Sequence, residues 1–124
     1  MKIKKPKYNS SKAKKRLRSL ADKLWFLKHK KESCEVCGKP AVQVHHYYFK
    51  GTYGHLRYDN DNGVSLCKGC HFVLHNQDSK KIEEKIIEKR GRKWYNKLRK
   101  KSQERDVNTQ TIGYYKNIII ELNE

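Results

Sequence analysis

Between Cys34 and His75 the chain gathers all four of its cysteines and five of its six histidines. Two Cys-x-x-Cys pairs, Cys34/Cys37 and Cys67/Cys70, enclose a His45-His46 doublet and Asn62, and His71 and His75 follow directly. Thiolates from two such knuckles close a tetrahedral zinc site, and a closed four-thiolate site is structural because no coordination position remains for water. The histidines are then available for other work. The competing use of the cysteines, as two disulfides, belongs to small secreted proteins. With no signal-peptide pattern in the sequence, a reducing cytoplasm is the compartment expected.

Hydrolysing a phosphodiester needs a nucleophile made from water, a cation that holds the phosphate and stabilises its developing charge, and a proton for the leaving oxygen. A neutral histidine and one divalent metal cover the first two. Adjacent residues of a strand point to opposite sides, so of His45 and His46 one can ligate while the other faces the phosphate. His71 and His75, four residues apart and therefore on one helix face, can complete with His45 a metal site that stays open to water and substrate. Asn62 sits in the Asp59-Asn60-Asp61-Asn62-Gly63 turn, placed to hold the loop that aims His46. The rival reading of these residues is as loop positions of a noncatalytic treble-clef module. His29 and His55 fit neither set and read as surface or phosphate-contacting histidines; Asp59 and Asp61 read as turn formers before metal ligands.

The elements that must position this set are short, and the chain around them is strongly basic. Its 124 residues carry a net charge of +17, from 30 Lys plus Arg against 13 Asp plus Glu. Residues 1–31 hold 13 basic groups and one acidic, residues 32–79 hold 4 and 5, and residues 80–124 hold 13 and 7. A near-neutral centre between basic flanks suits a protein that grips a polyanion at its edges and does chemistry in the middle. The bland alternative is a generically basic surface, and charge alone does not separate DNA from RNA or an anionic membrane. Hydrophobic residues make up only 35% of the chain, so a metal that ties distant loops together would supply stability that burial cannot. No apolar run approaches the roughly 18 residues of a membrane span.

Residues 1–10 read as a disordered basic arm, and Leu17, Leu20, Ala21, Leu24 and Leu27 mark an amphipathic helix from about Ser11 to Lys30. Cys34 to Gly38 forms a zinc knuckle, followed by a strand within Ala41 to Tyr48, a loop, and a second short strand from Val64 to Leu66. Cys67-Lys68-Gly69-Cys70 leads into the helix that carries His71 and His75. A further helix runs over 78–90, with Asp78 or Ser79 as cap and Ile82, Ile86 and Ile87 on one side. Gly91 interrupts it, Trp94, Tyr95 and Leu98 resume the pattern to about Arg105, and a weak last element spans Ile112 to Leu122. The fold class expected is α+β, with residues 32–77 as the metal-binding core, 11–31 as a basic helix before it and 78–124 as a helical extension after it.

The combination of Cys34-Cys37, His45-His46, Asn62 through Leu66-Cys67, and Cys70-His71 resembles the zinc-stabilised branch of the HNH, or ββα-metal, nucleases. The order His46, Asn62, His71, His75 is similar to that of bacterial colicin DNases. The wider stretch from Leu56-Arg57-Tyr58-Asp59 to Leu98 resembles phage NinG/Rap-type recombination proteins. The resemblance implies a small treble-clef-like ββα-metal core that hydrolyses DNA, with His46 as general base, Asn62 as loop organiser, and His45, His71 and His75 as ligands of a catalytic divalent ion (Mg, Mn, Zn or Ni). Cys34, Cys37, Cys67 and Cys70 would hold a structural zinc. Lys14, Lys15, Arg16, Arg18, Arg57, Arg90, Arg92 and Lys93 are the residues expected to touch nucleic acid. The expectation is thus a DNA endonuclease of phage or prophage origin, with no membrane partner; the alternative is a noncatalytic zinc-stabilised nucleic-acid-binding protein.

Overall fold

A computed structural model describes residues 10–105 and 110–124; the arm expected over residues 1–10 lies, but for Ser10, outside the described residues. The order is α1 (Ser10–His29), β1 (Gln43–His46), a single 3₁₀ turn (Gly54–Leu56), β2 (Gly63–Leu66), α2 (Lys68–Asn76), α3 (Ser79–Arg90), α4 (Arg92–Gln103) and α5 (Ile112–Asn123). Among the described residues this is an α+β protein of five helices and one two-stranded antiparallel sheet. None of these helices is long and apolar enough to cross a membrane.

Two compact units divide the chain: one runs from His29 to Val107, and the other joins the chain up to Lys28 with that from Asn108 onward. In the second unit, Ala21 and Trp25 of α1 and Tyr115 of α5 are buried, and the Thr111 hydroxyl caps α5 by accepting from the Tyr114 amide at 3.1 Å.

The first unit is built around the sheet, whose register sets Gln43 opposite Leu66, Val44 opposite Ser65, His45 opposite Val64 and His46 opposite Gly63. All four residues of β2 are buried, which matches its short apolar sequence. The preceding knuckle folds back on itself, with Cys34 N–H donating to Lys39 O at 2.7 Å and Gly38 N–H to Cys34 O at 3.0 Å. Gly38 takes φ +80°, a backbone region that favours glycine. Cys67 follows β2 directly and caps α2, its Sγ accepting from the Cys70 amide at 3.3 Å.

The core consists of Cys34, Val64, Leu66, Cys67, Leu74, Ile82 and Ile86. Fully burying a side chain such as Leu66 or Ile86 contributes about 1.5–3 kcal/mol. Ile82 and Ile86 are one turn apart on α3, so this helix supplies part of the core itself. α3 and α4 belong to the same compact unit as the sheet, while α5 groups with α1. Asp78 caps α3 by accepting from the Lys81 amide at 3.1 Å, and Gly91, at φ +94°, is the single residue between α3 and α4.

Arg90, at the end of α3, departs from its expected place on the nucleic-acid face. Its Nε and Nη2 donate to the two carboxylate oxygens of Glu35 at 2.9 and 2.8 Å, and its remaining hydrogens reach Gly63 O at 2.6 Å and Asp61 O at 3.3 Å. The guanidinium also lies 5.1 Å from the Trp94 ring centroid. A fork that matches a carboxylate this well is a clamp, and it ties the knuckle to α3 and to the start of β2.

Burial raises the Glu35 pKa, but the Ser65 amide and Arg90 outweigh it and hold the carboxyl below its ordinary 4.5. The stability this contributes is full above pH 4.5 and is lost as pH falls through the lowered folded value. Arg90→Ala should cost roughly 2–3 kcal/mol in urea denaturation at pH 7, less than a fully buried pair because both partners retain some exposure. The difference from wild type should shrink as Glu35 is protonated; a constant difference down to acid pH would show that the ion pair is not its source.

Candidate metal centres

The four cysteine sulfurs lie within 4.8 Å of one another, drawn from two places far apart in sequence: the knuckle before β1, and the junction of β2 with α2. Cys37 and Cys67 Sγ are 3.4 Å apart. A tetrahedral zinc site with Zn–S bonds of about 2.3 Å has S···S edges of about 3.8 Å, so the cluster fits that ion closely. None of the four is joined in a disulfide. Each pair is organised alike, with an amide donating to the first sulfur: Val36 N–H to Cys34 Sγ at 3.4 Å and Cys70 N–H to Cys67 Sγ at 3.3 Å.

The electrostatics of the cluster call for a cation. Burial pushes the Cys34 thiol up, but hydrogen bonds from the Cys37, Cys67 and Val36 backbone outweigh it and lower its pKa to about 7. Burial and the neighbouring thiols push Cys70 far up. One sulfur is thus ready to ionise while another is held protonated, and a metal ion is what allows all four to become thiolates. Four cysteines so placed could hold a structural zinc.

The second cluster joins β1 to α2. His45, His71 and His75 have ring nitrogens within 4.8 Å of one another, with centroid separations of 6.2 Å (His45–His71), 5.5 Å (His45–His75) and 4.4 Å (His71–His75). Burial, then the proximity of His75, His71 and His46, lowers the His45 pKa to about 3, and burial and His75 lower that of His71. Neutral imidazoles are the form that ligates a metal. A cleft of about 280 Å³ opens on these three residues and is lined also by His46 and Lys50.

His46 is oriented by a carbonyl. Its Nε2 lies 2.9 Å from Arg57 O, and because a carbonyl can only accept, Nε2 carries the proton and Nδ1 is the basic nitrogen. Asn62, completely buried, fixes the loop that presents this carbonyl. Its Oδ1 accepts from the Tyr48 amide at 2.8 Å, and its Nδ2 donates to Tyr48 O at 3.0 Å and Leu56 O at 3.1 Å. The far side of the loop is tied to α4: Lys101 Nζ meets Asp61 at 2.9 Å and Asp59 at 3.1 Å, Lys97 meets Asp61 at 3.3 Å, and Trp94 Nε1 donates to Asp61 O at 2.8 Å. Asp59 Oδ1 also accepts from the Asp61 amide at 2.9 Å, so these carboxylates shape the turn. His55 donates to Lys101 O at 2.9 Å, and His29 pairs with Asn60 Oδ1 at 3.1 Å.

The residues expected at a nucleic-acid surface fall in both units. Lys14, Lys15, Arg16 and Arg18 lie on α1, in the other unit. Arg57 sits 5.9 Å from the Tyr58 ring, Arg92 sits 5.4 Å from that of Tyr95, and Lys93 is exposed. Arg90 is turned inward. Lys50, absent from the expected set, lines the histidine cleft; its only sequence signal is that it follows the His-His strand by four residues.

Freshly purified protein should contain about one tightly held metal ion per chain, retained through mild chelation. Cys34→Ser or Cys70→Ser should unfold the unit around the sheet, because binding of such an ion is folding free energy. Thiolates must form for the ion to bind, so uptake by apo-protein should release protons and affinity should fall as pH falls. Metal analysis, circular dichroism and proton release in weak buffer check this; native dichroism in both serine variants would refute it.

No family model, curated protein or solved structure matches this chain, so the case for what the two clusters do rests on their own geometry.

Proposed function

We propose that the protein is a metal-dependent DNA endonuclease of the HNH type, with a structural zinc on its four cysteines and a catalytic divalent ion on His45, His71 and His75. The observation that carries this reading is the charge of the histidine cleft. Its candidate ligands are imidazoles, which bring no negative charge to a metal, and among the described residues Lys50 lines the cleft and no carboxylate does. A divalent cation held by neutral ligands keeps its charge, and Lys50 adds to it. Such a site asks for an anionic substrate, and a phosphodiester is one.

A bound divalent ion would polarise a phosphate oxygen and stabilise charge developing in the transition state. The chain's own residues divide the remaining work. His46 Nδ1 accepts the proton of an attacking water, the Nε2–H bond to Arg57 O keeps the ring in the right tautomer, and Asn62 holds the loop that supplies that carbonyl. The all-imidazole donor set favours nickel or zinc over magnesium and manganese, which prefer oxygen ligands. The basic flanks fit a polyanion, and the motif resemblance to phage recombination proteins supports a role in phage or prophage DNA processing.

Nicking of supercoiled plasmid with magnesium, manganese, nickel or zinc tests the reading. His46→Ala should reduce the rate about 10²-fold to 10⁴-fold while tightly bound zinc and DNA affinity stay near wild type. Activity within about twofold of wild type would remove His46 from the chemistry. DNA binding without cleavage in any of the four metals would favour a noncatalytic nucleic-acid-binding protein.

A further inference from the structure

Phe49 stands between two hollows. On one side is the cleft with the three histidines and Lys50; on the other is a hollow of about 410 Å³ lined by Leu74, Asn76, Gln77, Ser79 and Glu83, and His75 borders both. The Phe49 ring stacks on His75 at 6.1 Å with planes 23° apart and meets His45 edge-on at 5.7 Å, yet 48% of the residue remains exposed. An aromatic that served only to pack the histidines would not need to leave half its surface in water.

The second hollow has a different chemistry from the first. Leu74 gives it an apolar patch, while the Asn76 and Gln77 amides, the Ser79 hydroxyl and the Glu83 carboxyl give it donors and acceptors. Asn76 commits an amide hydrogen to Phe72 O at 3.2 Å, leaving its side-chain oxygen to accept. Burial raises the pKa of Glu83. A carboxyl here repels phosphate, but it accepts hydrogen bonds from the amino groups of a base. The volume lies within the range of about 300–1,000 Å³ typical of small-ligand sites.

We propose that the hollow beyond Phe49 is a base-binding subsite, in which the nucleobase beside the bound phosphate leaves its helical stack, lies against Phe49 and is read at its edge by Asn76, Gln77 and Glu83, while Lys50 holds the backbone. The proposal rests on the nuclease reading and names its substrate class: nucleic acid with an unpaired nucleotide at the cut. A base inside a duplex must first be unpaired and unstacked to reach the hollow, a cost that an unpaired base does not carry. Stacking on an aromatic then supplies sequence-tolerant affinity.

The test compares two synthetic DNA duplexes of one sequence, one fully paired and one with a single unpaired nucleotide, first for affinity in chelator and then for single-turnover cleavage with nickel. Wild type should favour the unpaired substrate in both measurements. Phe49→Leu, which keeps apolar bulk and removes the ring, should reduce that preference about tenfold or abolish it, and Phe49→Trp should restore it. Thermal melting and the absorption of cobalt-substituted protein check that fold and metal sites survive. Gln77→Ala gives an independent reading, since it should change which unpaired base is favoured. Equal use of both duplexes by wild type, or a preference untouched by Phe49→Leu and Gln77→Ala, overturns the subsite. If wild type cuts neither duplex, the nuclease reading fails. The affinity measurement still decides the subsite: a preference that Phe49→Leu removes sustains it, and no preference overturns it.

Discussion

Four sulfur atoms gathered within 4.8 Å cannot all be ionised unless a cation lies among them, and the first unit is organised around that requirement. Two of the sulfurs belong to a loop that enters β1 and two to the corner where β2 becomes α2, so a single ion would fasten the two strands together at the end of the sheet where Gln43 pairs with Leu66. The corner has a second consequence. Because Cys67 caps α2, the position of the sulfurs sets where that helix starts and therefore where His71 and His75 point. At 100° per residue, Cys70 and His71 fall on different faces of α2, which lets one short helix serve two ligand sets without mixing them.

Around this centre the polar contacts form a second layer that works on loops. Glu35 and Arg90 join the knuckle to α3 from opposite ends of the unit's sequence, and Lys97, Lys101 and Trp94 of α4 gather the turn that precedes Asn62. The lysine pairs are partly exposed and each is worth little by itself, about 0–1 kcal/mol. Their effect is better described as restricting the turn. The Glu35–Arg90 fork is better shielded and also donates to the Gly63 carbonyl of β2 and, together with Trp94, to that of Asp61 in the turn.

Both candidate clusters were legible in the sequence because metal chemistry imposes local rules: thiols three apart in a knuckle, and histidines four apart on a helix. The short strands were legible from their Val-rich runs, and the helix caps from Asp78 and Gly91. What could not be read is what depends on long-range pairing. Nothing in the sequence distinguishes Arg90, a structural clamp, from the neighbouring Arg92 and Lys93, because its partner Glu35 lies 55 positions away. The same holds for Lys101 with Asp59 and Asp61. The apolar spacing of Ile82 and Ile86 announced a helix but not that it fills the core, since a periodic stripe says which face is buried and never against what. Lys50 and Phe49 were missed because a loop carries no periodicity from which a side chain's direction follows.

The dependence of the Arg57 carbonyl on α4 bears on how portable this motif is. Every metal-ligand candidate lies between Cys34 and His75, and a graft of that stretch onto another protein would carry all seven. It would leave behind Lys97, Lys101 and Trp94, which restrain the turn, and Arg90, which restrains the knuckle. Such a graft would keep the candidate ligands but leave the Arg57 carbonyl on a slack loop, so that the His46 tautomer would no longer be set by a fixed acceptor. The transplantable module is the longer one, from His29 through the end of α4, and the region that looks like an appendage in the sequence is part of its working minimum.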